Sequence, residues 1–97
     1  MTQETLKELI STATQAGWNV EIEERSTGPV EVTMVLTMPE PRRQLLTVEF
    51  TPSGRVTFQH SGACPEWQKS LEFGDKVDAW WRQIAAIITV KARWGKE

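Results

Sequence analysis

The side chains best suited to nucleophilic or metal chemistry are His60 and Cys64, each the only residue of its type in the 97-residue chain. A thiolate activated by an imidazole is a common nucleophile, and the same two groups supply half of a zinc site. Their spacing provides neither an oxyanion donor nor two further ligands. We therefore expect both residues to be structural, with no catalytic residue, no metal and no cofactor.

Carboxylates form two groups, Glu21 with Glu23 and Glu24, and Asp75 with Asp78. Paired carboxylates act as acid and base only where burial or mutual repulsion separates their pKa values. Glu21 and Glu23 fall on the polar side of a predicted strand, and Asp75 and Asp78 lie where a helix N-terminus favours negative charge. The glycines are isolated and form no phosphate-binding loop. An enzyme is accordingly the least supported class.

Five tryptophans are many for a chain of this length. Trp18 and Trp81 share a face with the apolar residues of predicted elements, so we expect them in the core. Trp67 lies in an irregular stretch and Trp94 near the end of the sequence, and both are expected to contact another molecule, because half-exposed indole rings often anchor interfaces. Phe73, which ends the same irregular stretch, is a third candidate.

Basic side chains offer an alternative site. Residues 1–41 carry seven acids and two bases, and residues 42–97 carry six acids and nine bases, within a net charge of −2. Arg82 and Arg93 fall on a predicted helix and Arg42 and Arg43 at a strand turn, where such side chains can bind phosphates. Cations near a helix C-terminus also complement its dipole, and the total charge is acidic, so nucleic acid ranks below protein as a partner.

Length and composition indicate one globular domain spanning residues 1–97. Hydrophobic residues make up 39 % of the chain and charged residues 25 %, and a single cysteine allows no internal disulfide. No apolar run reaches the roughly 18 residues of a membrane span, and the first residues lack the features of a signal peptide. We expect a cytoplasmic protein with no membrane contact, held together by apolar packing.

Apolar periodicity predicts the elements that position these residues. Apolar side chains three and four apart predict a helix over residues 2–16, and alternation from Trp18 predicts a first strand. Further alternation predicts strands over residues 30–38, 45–50 and 56–58, separated by turns rich in Gly and Pro. The links are too short for parallel crossovers, so these four strands are expected to form an antiparallel meander.

The segment after the fourth predicted strand interrupts this pattern. We predict that Pro65 opens a short helix with Trp67 and Leu71 on one face, and that Asp75 caps a last helix running from about Lys76 to Trp94. The expected fold is an α+β two-layer sandwich in the order α-β-β-β-β-α. Both long helices cover one face of the sheet, and the first and fourth strands form its edges.

These features together predict a non-catalytic module that binds protein, such as a small adaptor, inhibitor or subunit. The support comes from Trp67, from the polar sheet face, and from the opposite charges of the two halves, which favour electrostatic steering to a partner. A second copy of the chain is a further candidate partner, because an edge strand can pair between chains. Nucleic-acid binding through the basic face of the C-terminal helix is the alternative.

Overall fold

A computed structural model describes residues 2–25, 27–39, 43–62 and 66–93. It confirms the predicted α+β class and antiparallel sheet, but the sheet has five strands where the sequence predicted four. The elements in chain order are α1 (Gln3–Ala16), β1 (Asn19–Glu24), β2 (Val32–Thr37), β3 (Leu45–Phe50), β4 (Arg55–Ser61), β5 (Trp67–Glu72), a 3-10 turn (Gly74–Lys76) and α2 (Trp81–Ala92).

The first helix forms where the sequence predicts it. Thr2 is its N-cap, and the Thr2 hydroxyl accepts a hydrogen bond of 3.1 Å from the Thr5 backbone N–H. Gly17 closes the helix at a φ of 107°, a conformation that residues with a Cβ rarely adopt. Trp18 follows Gly17 directly, and β1 begins at the next residue, so the connection between α1 and β1 is short.

The fifth strand replaces the predicted short helix and corrects that prediction. Trp67 and Leu71 lie four residues apart, which is two strand repeats and also about one helical turn, so their spacing fits both structures. Pairing with β4 decides between them, because Trp67 lies opposite His60 and Leu71 opposite Val56. The sheet order is β1-β2-β3-β4-β5, so β5 rather than β4 is the second edge.

The last helix also begins later than predicted, at Trp81 instead of Lys76. Asp75 lies in the 3-10 turn and does not cap α2; the N-cap position belongs to Trp80, which makes no side-chain capping bond. The chain passes here from the sheet layer to the helix layer, and residues 77–80, between the 3-10 turn and α2, make that connection. The predicted end of the helix, Trp94, and the predicted helix start, Pro65, lie outside the described residues.

The core lies between the helices and one face of the sheet. Alternate residues of β2, β3 and β4 are buried beneath α1 and α2, while their neighbours form a polar outer face that includes Thr47 and Thr57. No helix in the described ranges has the length and apolar character needed to cross a membrane. The principal side chains of the core are Leu6, Leu9, Trp18, Met34, Leu36, Leu46, Val48, Phe50, Val56, Phe58, Ile84 and Ile88.

Candidate functional site

A groove runs between the edge strand β5 and helix α2. The chain reverses direction between these two elements, so that the start of β5 lies beside the end of α2. At that end the Lys91 ammonium nitrogen lies 3.8 Å from the centroid of the Trp67 ring. At the opposite end of the groove, Phe73 follows β5 and Trp80 precedes α2, and the centroids of their rings are 5.6 Å apart. Two aromatic contacts therefore hold strand and helix together at both ends.

The groove between these contacts has a volume of about 350 Å³ and a mainly apolar lining. Leu71 and Ile87 are partly buried against the core, whereas the Val90 side is open, with 55 % of that residue exposed. We call this site the β5–α2 groove. It is lined by Trp67, Lys69, Leu71, Gln83, Ala86, Ile87, Val90 and Lys91.

The groove is open because the two helices, which pack against each other, do not cover the full width of the sheet. The sheet is five strands wide, at a spacing of about 4.8 Å, and two helices about 10 Å in diameter cover roughly four strands. The helix-facing side of β5 is thus left incompletely covered. Three large apolar residues are exposed in the described part of the chain. Two of them, Trp80 with 46 % of its surface exposed and Val90, lie at this incompletely covered side of β5.

The charged groups of the groove are both lysines. Lys69 is exposed on β5, whereas Lys91 is only 4 % exposed, and its ammonium group lies over the face of Trp67. This position is favourable for a cation because the face of an indole ring is electron-rich. Burial lowers the pKa of Lys91 from its ordinary value. No aspartate or glutamate is among the described residues that line the groove, and its exposed charged side chain is Lys69.

His60 lies next to this site but inside the core, with 1 % of its surface exposed. Its Nε2 atom is 2.7 Å from the side-chain oxygen of the buried Gln44, and since that oxygen can only accept, Nε2 carries the proton and donates it. The ring packs edge-on against Trp18, with 6.4 Å between centroids. Burial, and secondly the positive charge of Lys91, lower the pKa of His60. These contacts give His60 a packing role, while Cys64 lies outside the described residues.

The carboxylates of the sequence are dispersed in the structure. Glu21, Glu23 and Glu24 are exposed on β1. Asp78 accepts a hydrogen bond of 2.8 Å from the Thr2 backbone N–H, which ties the start of α1 to the segment before α2. Across the described ranges, no three histidine, cysteine, aspartate or glutamate side chains come close enough to hold a metal ion.

The structure separates the tryptophans by environment. Trp18 is buried as predicted, and its indole N–H donates to the Ile88 carbonyl at 3.1 Å. Trp81 is only half-buried, and the Arg82 guanidinium lies 5.7 Å from its ring centroid. Trp67 is half-buried at the mouth of the groove, and Trp94 is outside the described residues. Sequence reasoning thus identified Trp67 as an accessible aromatic, although it placed this residue on a helix.

The groove residues that the sequence did not assign to a protein-binding site are Lys69, Gln83, Ala86, Ile87, Val90 and Lys91. Ile87 lies beside the apolar stripe of α2, and Val90 falls three residues later on the same flank. This continuation of the apolar flank is the sequence signal from which Val90 could have been identified. The burial of Lys91 left no sequence signal, because it depends on where Trp67 lies in the folded chain.

The predicted phosphate-binding arginines do not form one surface. Arg82 and Arg93 are exposed on the same side of α2 but lie about 16 Å apart along it. Arg82 lines a concave surface at the start of α1 together with Glu4, Glu8 and Asp78, which offset its charge. Arg43 is exposed in the loop before β3, and Arg42 lies outside the described residues.

The chain was compared with protein-family models, with curated proteins and with solved structures, and none of the three comparisons gave a match.

Proposed function

We propose that this chain is a non-catalytic protein-binding domain and that the β5–α2 groove is its binding site. The observation that supports this is the groove itself, in which aromatic and aliphatic side chains lie open to solvent beside an unpaired sheet edge. Contiguous apolar surface on a small domain is the usual mark of an interaction site. Trp67 and Phe73, which the sequence suggested as contact residues, lie at opposite ends of β5 beside the groove. A cytoplasmic location remains our expectation.

The same geometry gives less support to nucleic acid than to protein as the binding partner. Of the arginines proposed to bind phosphates, those that the structure describes are dispersed, and acidic side chains surround one of them. A phosphate backbone requires several cations along one path. A binding surface built from the groove relies instead on apolar contacts, to which the exposed Lys69 adds a preference for negatively charged partners.

The groove can be tested by exchanging one exposed aliphatic residue for a neutral polar one. Val90 lies in the groove, and its remaining exposed surface is worth about 1 kcal/mol if a partner buries it. Val90→Gln also places an amide that must be desolvated, so we expect roughly tenfold weaker binding to a partner. Glutamine is a good helix former, so α2 should remain intact.

Leu45 provides the matched control, because it is 39 % exposed on the outer face of the sheet and does not line the groove. Partners captured from cells with the tagged chain should first be purified and their dissociation constants measured with the isolated proteins. Leu45→Gln should leave these constants within about twofold of the parent value. If Leu45→Gln weakens binding and Val90→Gln does not, the groove is not the binding site. If no purified protein binds, the proposed function is wrong.

A further inference from the structure

The free edge of β5 continues the groove on its outer side. Among the described strands β5 pairs with β4 alone, so one edge of its backbone presents N–H and C=O groups that no strand in the sheet uses. Such an edge accepts an extended peptide as an added strand, with main-chain bonds giving affinity and side-chain pockets giving selectivity. The six residues of β5 offer an edge about 20 Å long.

A strand added to β5 would also fill the groove. Its alternate side chains would point toward the helix layer, as Trp67, Lys69 and Leu71 do on β5. From a position about 4.8 Å outside β5, they reach the exposed flank of α2 at Ile87 and Val90. A helix lying in the groove would contact the same flank but would leave the backbone of β5 unpaired.

The opposite edge of the sheet is protected against such pairing. β1 carries Glu21, Glu23 and Glu24 within six residues, and like charges along an edge strand oppose the addition of another strand. β5 carries a single acid, Glu72, together with Lys69. The two edges therefore differ in charge, and of the two only β5 borders the apolar groove.

The charge of the groove selects among occupants. Pairing β5 of one copy with β5 of another would bring two exposed Lys69 side chains together, with no carboxylate among the described residues of either lining. An incoming segment with acidic residues would compensate this charge instead. Building on the function proposed above, we infer that the β5–α2 groove and the free edge of β5 together bind an extended segment of another protein, in which apolar and acidic residues alternate.

The inference can be tested with synthetic peptides of about ten residues, which extend beyond both ends of the six-residue β5 edge. The probe alternates valine and glutamate. One control has the same composition with valines at helical spacing, and another replaces every glutamate by lysine. We expect the probe to bind at least about tenfold more tightly than either control in calorimetric titrations. Amide exchange measured by NMR should slow in β5 and remain unchanged in β1.

Backbone methylation identifies a strand directly. Only alternate N–H groups of an added strand face β5, so N-methylation of one alternate set should abolish binding and methylation of the other should have little effect. Lys69→Glu should weaken binding of the acidic probe and strengthen that of the lysine peptide. Lys76→Glu, an exposed change in the 3-10 turn outside the groove, should do neither.

The outcomes separate this inference from the proposed function. If the helical isomer binds more tightly, or if all three peptides fail to bind at about 1 mM, the added strand is wrong, while the function is still judged by purified partners and Val90→Gln. If light scattering shows a dimer whose β5 amides are protected without peptide, the occupant is a second copy and the inference is overturned. Equal binding of the acidic and basic peptides would refute the role of charge.

Discussion

The connection between the β3–β4 hairpin and the end of β5 leads to a sharp prediction about Gly54. This residue is buried at a φ of 87°, and its carbonyl accepts hydrogen bonds from the Phe73 and Gly74 backbone N–H groups at 2.8 and 3.2 Å. These bonds hold the end of β5 in place before the chain rises to α2. A methyl group at Gly54 would overlap the Gly74 carbonyl oxygen and lie 2.6 Å from the Gly74 Cα.

The magnitude follows from two costs of Gly54→Ala. The positive φ costs a residue with a Cβ about 1 to 2 kcal/mol. The overlap involves backbone that cannot rotate away, so the β3–β4 turn and the 3-10 turn must separate, and the loss of the two hydrogen bonds to the Gly54 carbonyl adds about 2 kcal/mol. The sum of about 3 to 4 kcal/mol is a large part of the roughly 5 to 15 kcal/mol that stabilises a small domain.

Gly28→Ala is the control, because Gly28 has a similar φ of 98° and a methyl group added there would meet no described atom within 4 Å. Only the conformational cost of about 1 to 2 kcal/mol should apply there. Free energies of unfolding are measured in urea from tryptophan fluorescence. If the two variants lose equal stability to within about 0.5 kcal/mol, the close contact between Gly54 and Gly74 does not constrain the fold as we argue.

Two further predictions concern the buried histidine. Because burial lowers the pKa of His60, its protonation favours the unfolded chain, so its contribution to stability is retained above pH 6.5 and is lost as pH falls through the folded-state pKa. The ring protons of this single histidine should titrate below 6.5 in NMR spectra, and His60→Gln should flatten the stability profile between about pH 7 and 5. Lys91→Met should raise the pKa of His60, since it removes a neighbouring positive charge while preserving side-chain length; an unchanged titration would contradict that coupling.

The partial coverage of β5 explains why the sequence after β4 lacks a regular alternation of apolar and polar residues. β5 has an outer face and a free edge in contact with solvent, so few of its residues require apolar side chains, and Gln68, Lys69 and Ser70 are all exposed. An edge strand therefore carries a weaker sequence pattern than a central one. The same partial coverage of β5 that weakened the pattern leaves the groove available to a partner.

The sequence by itself determined the elements whose faces are buried on one side. Alternation located β2, β3 and β4, and the spacing of leucines with a threonine cap and a terminal glycine located α1. Trp18 could be assigned to the core for the same reason. Local periodicity suffices in these places because each element turns one regular set of side chains toward the same core.

Tertiary structure alone decided the character of β5, the start of α2 and the groove between them. Trp67 and Leu71 fit a helix or a strand equally well until β4 supplies the hydrogen bonds that select the strand. Lys91 is buried where Trp67, far from it in sequence, provides a ring face for its ammonium group. Pairing between distant segments carries no local period, so the edge and the site beside it arise only when the sheet assembles.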